Sequence, residues 1–278
     1  MLVAVGVFAV MDAGLKSLSV VYPAIELTAL RAGASLPFML ASVAWNRAFR
    51  TLSVERPLMY LARSTLGLVM LLAFIVSVRL QPLTESYAIF MSAPLMVAIL
   101  SRFLLSERVP RGRWIAIGVG LCGVFVAMRP SASGLLSLGG VAAMASAACY
   151  AFGVLMIRAI GRTDSAHAMV LWYMVLIFIG ASALALPGWQ PIAPRHWPVI
   201  ALIGVTGAIA QHFVTSAFRR APASVVAPFE YTALPWGLLI DYGVFHNPPA
   251  ARVLLGGAIV ILGGLYLIWD EHRAGRAA

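Results

Sequence analysis

A chain of 278 residues that is 62% hydrophobic and only 11% charged cannot give a folded core a water-compatible surface, since soluble domains carry about 25% charged residues. Its net charge of +10, from 20 Lys and Arg against 10 Asp and Glu, does not mark a nucleic-acid binder, because no basic stretch stands apart from an apolar one. Lipid is the solvent that fits, and at roughly 20 apolar residues per span there is room for about ten helices.

The first apolar run, Leu2–Val20, has no basic segment before it and carries Asp12 and Lys16 in its middle. It therefore reads as a helix of the mature protein and not as a cleaved leader. Ala24–Trp45 follows, with Arg31 about a third of the way along. Pro57–Val78, Thr84–Leu104 and Arg113–Met128 complete the first half. The second half reads Leu135–Ile157, His167–Pro187, Trp197–Phe218, Ala223–Val244 and Ala250–Trp269. The fold class expected is an all-α integral membrane protein of ten transmembrane helices. Cys122 and Cys149 both fall in apolar runs as small packing residues, and no Cys/His spacing signals a metal, a redox pair or a cofactor. Gly118-Val119-Gly120-Leu121-Cys122-Gly123 fits GxGxxG, but it lies inside an apolar span and not between a strand and a helix. Close helix packing is its reading, not dinucleotide binding.

Lys and Arg sort by loop. Thirteen flank the even-numbered connections and the C-terminus, against four at the others, Arg79, Arg129, Arg195 and Arg252. The positive-inside rule then puts both termini in the cytoplasm. Arginine supplies all the basic residues except Lys16, as in a GC-rich bacterial genome, so the expected setting is a bacterial inner membrane. The chain also aligns with itself at a shift of 139 residues. Phe74 meets Phe213, Ala88 meets Ala227, Phe90 meets Phe229, Pro110 meets Pro249 and Gly118 meets Gly257. The basic excess changes loop between the two copies, as it must if five-helix halves at 1–133 and 134–278 are inserted upside down relative to each other. Inverted repeats are the architecture of secondary transporters, with the site near midplane.

An ionisable group at the bilayer centre costs roughly 2.5–3.5 kcal/mol on insertion scales, so each one needs a partner, water or a purpose. Asp12 and Lys16 are one turn apart on one helix face. They either neutralise each other or line a solute path. Arg31 either pairs with Asp12 or Glu26 or holds an anionic solute group with its planar fork. Glu230 lies between Pro228 and Pro235, with Pro94 at the equivalent depth in the first half. Interrupted helices at matching positions point to the binding site, and a carboxyl in that place suits proton coupling, with Asp12 as a second candidate. Tyr87 and Tyr231 offer rings for stacking, as do Trp172 and Trp236, and Gln211 offers an amide in the eighth run. His212, beside it, reads as an interhelical hydrogen bonder. Arg63 and Asp241, near helix ends, read as snorkelling to the surface.

Three segments carry a resemblance. They are Phe8-Ala9-Val10-Met11-Asp12-Ala13-Gly14-Leu15-Lys16 with Leu30-Arg31; Ala93-Pro94 through Ser106-Glu107-Arg108, then Gly118 and Gly123; and Arg220-Ala221-Pro222-Ala223-Ser224 followed by Phe229-Glu230-Tyr231-Thr232. In order and spacing the chain resembles the EamA-type branch of the drug/metabolite transporter superfamily. The resemblance implies ten helices in two inverted halves and a cavity lined chiefly by helices one, three, four, six, eight and nine. It also implies transport of a small metabolite, with riboflavin-like or S-adenosylmethionine-like uptake set against amino-acid or drug export. Glu107 matches the family's acidic residue after the fourth helix, but Phe245-His246-Asn247-Pro248 departs from it in the second half. No HExxH, GxSxG or GxxxxGK[ST] occurs, so the expected partners are a small solute and the bilayer, with energy drawn from a proton or solute gradient. A polytopic membrane enzyme and a non-transporting receptor are the rivals.

Overall fold

The computed structural model describes residues 1–80, 83–107, 109–128, 136–243 and 251–276. Among these residues all regular structure is helical. The helices are α1 (Leu2–Leu18), α2 (Ala24–Trp45), α3 (Pro57–Leu80), α4 (Leu83–Phe90), α5 (Ala93–Leu104), α6 (Arg111–Met128), α7 (Leu138–Ile160), α8 (Ala166–Ala185) and α9 (Trp197–Arg220). After these come the short α10 (Ala223–Val226), a 3-10 segment (Ala227–Thr232), α11 (Ala233–Gly243) and α12 (Ala251–Arg276). Helix starts follow local chemistry. Pro23 and Pro222 occupy the N-caps of α2 and α10, where a missing N–H costs nothing. The Ser165 hydroxyl accepts the Ala168 N–H at 3.0 Å to cap α8, satisfying one orphan donor of its first turn. The run Thr84–Leu104, read as one span, is two helices meeting at Met91-Ser92, with Pro94 in the first turn of α5.

Six described helices are long and apolar enough to cross a membrane. Large apolar side chains face outward on several of them, including Leu61, Ile179, Leu184, Leu262 and Leu265. Such a surface would aggregate in water and is at ease in hydrocarbon.

The helices form two compact units. The first contains residues 3–72 and 156–220, the second 73–155 and 221–278. Within the first, α2 packs on α8 and α9. Gly33 of α2 faces Phe178 of α8, while Met39 and Val43 cluster with Val170 and Met174, so α2 and α8 run antiparallel. On α9, Gly204 faces the backbone of Ala34, and an added Cβ there would collide with it. Small residues thus set the α2–α9 spacing.

Within the second unit α6 packs along α12. Gly123 lies beside Gly256 and Val260, whereas Val119 and Ala116 lie beside Gly263, so this pair is antiparallel too. The 3-10 segment packs on α5, α6 and α12. Its Tyr231 is buried with Ala88, Val124 and Val260, against Gly120. The glycine-rich stretch of α6 is therefore a packing surface.

Candidate functional site

In the first unit the polar candidates gather where α1, α2 and α9 meet. Gly207 of α9 marks the place: a Cβ built on it would stand 2.9 Å from Ser35 Oγ, 3.3 Å from Met11 Sδ and 3.9 Å from Arg31 Cγ. The Arg31 guanidinium carbon lies 5.8 Å from the Phe8 ring centroid, within cation–π range. Asp12, one turn beyond Phe8, is within electrostatic reach of Arg31. The Ser35 hydroxyl turns back to donate to the Arg31 carbonyl at 2.8 Å. Gln211 is buried one turn past Gly207. Asp12 and Lys16 are exposed and Arg31 half-buried. The structure thus brings Asp12 to Arg31, while Glu26, the other partner considered for Arg31, is engaged elsewhere. Its buried carboxylate accepts the Gln190 N–H at 3.1 Å through Oε2.

In the second unit Glu230 is the centre. The 3-10 segment carries it into the interior, where it is 9% exposed. The Tyr150 hydroxyl of α7 donates to its Oε1 at 2.6 Å. An aromatic wall continues from there. The Tyr150 and Phe90 ring centroids are 5.8 Å apart, and those of Phe90 and Phe74 are 5.5 Å apart. Tyr231, next in sequence, is 1% exposed and its hydroxyl has no hydrogen-bond partner. Pro228 lies inside the 3-10 segment and Pro235 in the first turn of α11, so the helix is interrupted around Glu230. A carboxyl on a 3-10 segment, a phenol donor and the neighbouring rings can recognise a flat, hydrogen-bonding solute and exchange a proton. The backbone of Tyr87 lies on α4, but its side chain is outside the described residues, as are the side chain of Asp241 and the segment Phe245–Pro248.

Some readings change. Arg63 does not snorkel: it is buried, donates from Nη1 to the Met169 carbonyl at 2.9 Å and stacks 4.3 Å from the Tyr173 ring centroid. Those two groups on α8 replace the water that a helix end would have given it. The His212 ring lies 5.0 Å from that of His167, and its Nδ1 is buried without a hydrogen-bond partner. Glu107 reaches the start of α10, where its Oε2 accepts the Ala223 N–H at 3.0 Å. It serves as a cap for the second-half helix, a role that needs no acidic mate there. Tyr150 escaped the sequence reading; its only signal is a single phenol amid the small residues of α7. Among the described residues, no group of three or more His, Cys, Asp or Glu is placed to hold a metal.

The chain is similar to a riboflavin transporter of Vibrio cholerae serotype O1, 32% identical over 197 residues that make up 70% of this chain and 66% of that protein, just under two thirds of its length. It is also similar to a pseudopaline exporter of Pseudomonas aeruginosa, 25% identical over 92% of this chain and 89% of that one. A solved structure superimposes with a TM-score of 0.83 over 98% of this chain and 97% of the other, at 17% identity, so the two share a fold. The model of the EamA-like transporter family matches residues 1–129 and 137–269. With both stretches matched on a helical, lipid-compatible fold, the chain belongs to the EamA-like transporter family.

Proposed function

We propose that the chain is a secondary active transporter. It moves a small, flat heteroaromatic metabolite, riboflavin-like in chemistry, across a bacterial cytoplasmic membrane by alternating access, coupled to protons or to solute exchange. The observation that carries this reading is Glu230: a buried carboxyl in the 3-10 segment, hydrogen-bonded by Tyr150, whose ring neighbours that of Phe90. Glu230 and Asp12 carry the coupling proton. Within the first unit, Asp12, Lys16, Arg31 and Gln211 supply polar contacts to the solute. The named riboflavin transporter among the relatives supports the choice of a flat ring over an amino acid.

The proposed architecture is ten spans in two inverted repeats, residues 1–133 and 134–278, with both termini cytoplasmic. Element boundaries support it. Shifted by 139 residues, α3 covers 196–219, against Trp197–Arg220 for α9. Shifted likewise, α4 to α5 cover 222–243, against residues 223–243 for α10 to α11. The same shift carries Met91 and Ser92, the break between α4 and α5, onto Glu230 and Tyr231. Matching breaks in two halves are what a transporter site needs. The antiparallel packing of α2 on α8 and of α6 on α12 supports opposite insertion of the halves, because each is a helix paired with its own mate. The family match in two stretches supports the same division.

Flux into proteoliposomes tests the function. Radiolabelled riboflavin should enter or exchange, with or without a pH gradient, while amino acids should not. S-Adenosylmethionine movement with no riboflavin movement would replace the flavin-like assignment, and failure of all three would remove the transport assignment.

A further inference from the structure

At one end of the first unit lies a cavity of about 320 Å³ that involves none of the candidate site residues above. Arg50 and Glu55, between α2 and α3, line it together with Thr163, Asp164 and Ser165, between α7 and α8, and Arg219 near the end of α9. Much of this wall is fixed by its own hydrogen bonds. Asp164 is 3% exposed and accepts from the Tyr60 hydroxyl at 2.7 Å and from Thr163 Oγ1 at 2.6 Å, so both carboxylate oxygens are engaged. The Arg219 Nε–H is shared between the Gly161 and Asp164 carbonyls at 3.1 Å each. That orients the guanidinium and leaves its Nη–H donors for a ligand. The Ser165 hydroxyl donates to the Thr51 carbonyl at 2.8 Å while capping α8.

Two guanidiniums and the exposed carboxylate of Glu55 remain to meet a ligand. A ligand that satisfies both signs is a zwitterion bearing a phosphate and an ammonium. Arginine forks match phosphate bidentately, and the volume sits at the lower end of the roughly 300–1,000 Å³ range of small-ligand pockets. The neighbourhood is that of a bilayer surface. Trp45 and Phe49 are exposed beside the Arg50 segment, and Trp172, also exposed, donates its Nε1–H to the Leu52 carbonyl at 3.1 Å. Such aromatics belong at headgroup depth, where basic pockets take lipid headgroups. We propose that this cavity binds the headgroup of a zwitterionic phospholipid. The phosphate lies on Arg50 and Arg219, the ammonium lies toward Glu55, and the acyl chains run along Phe49 and Trp172.

The test is native mass spectrometry of the purified full-length protein released from nanodiscs of equimolar phosphatidylethanolamine and phosphatidylglycerol. Wild type should retain phosphatidylethanolamine over phosphatidylglycerol by about fivefold, the worth of one charge contact near a membrane surface. Glu55→Gln should erase that preference. Arg50→Gln should lower retention of both lipids. Both positions are exposed and lie between α2 and α3, and circular dichroism checks that the variants stay folded. Equal retention of the two lipids by wild type, or variants that behave as wild type, would overturn the proposal. So would a thermal shift from soluble O-phosphoethanolamine, lost in Arg50→Gln, in protein that retains no lipid, because the site would then take a free zwitterion.

Discussion

Tyr150 on α7 donates its hydroxyl hydrogen to Oε1 of Glu230, 80 residues away in sequence, across 2.6 Å. A phenol is a suitable neighbour for a carboxyl that changes protonation, because it donates to the anion and can accept from the acid. Glu230→Gln keeps the acceptor oxygen and the shape but carries no exchangeable acid. Flux in this variant should lose its response to a pH gradient while solute exchange and the thermal midpoint persist. Gradient-driven flux at the wild-type rate would take Glu230 out of the coupling.

Tyr150→Phe removes the donor and leaves Glu230 Oε1 buried without it. An unsatisfied buried polar group costs about 1–3 kcal/mol. The variant should therefore unfold at a lower temperature in detergent, and its flux should peak at a different pH from wild type. A melting curve and a pH profile superimposable on wild type would show the hydrogen bond to be idle.

Glycines of α6 should divide by what faces them. A Cβ on Gly123 would stand 2.8 Å from the Gly256 carbonyl oxygen and 2.9 Å from Val260 Cγ2, and backbone cannot yield as a side chain can. Gly123→Ala should therefore destabilise by about 1–3 kcal/mol. Gly118 has nothing within 4 Å of such an atom. Gly118→Ala should be neutral or stabilise by up to about 1 kcal/mol, through helix propensity alone. Thermal unfolding of the two variants side by side measures the difference, and equal behaviour would contradict the packing role.

Spans were readable because their ends are punctuated. Ala24–Trp45 is bounded by Pro23 and Asn46, and the observed helix has the same limits. Breaks around Glu230 were readable from Pro228 and Pro235, because proline writes a backbone constraint into the sequence. Partners were not readable. Arg63 reads as a helix-end arginine until α8 brings up Met169 and Tyr173, and its bond to Met169 joins positions 106 apart. Tyr150 and His167 were passed over for the same reason: hydrophobic periodicity reports which face is buried, but not what another helix lays against it. The split of Thr84–Leu104 at Met91-Ser92 was hinted at by Pro94 alone, and that proline sits comfortably in the first turn of α5.

Asp12 and Arg31 should act as a unit. They sit on neighbouring helices in electrostatic reach of each other, with Arg31 also resting on Phe8 of the Asp12 helix. Removing either charge leaves the other without its counterpart, so the second removal should cost less than the first. In a double-mutant cycle with Asp12→Asn and Arg31→Gln, the effects on solute KM should fall short of additivity by about 0.5–3 kcal/mol, the range for residues in direct interaction. The single variants should each weaken solute binding, because a lone charge demands water that the solute must displace. If the two effects add, Asp12 and Arg31 meet the solute separately, and the α1–α2–α9 junction holds two independent contacts instead of one charge pair.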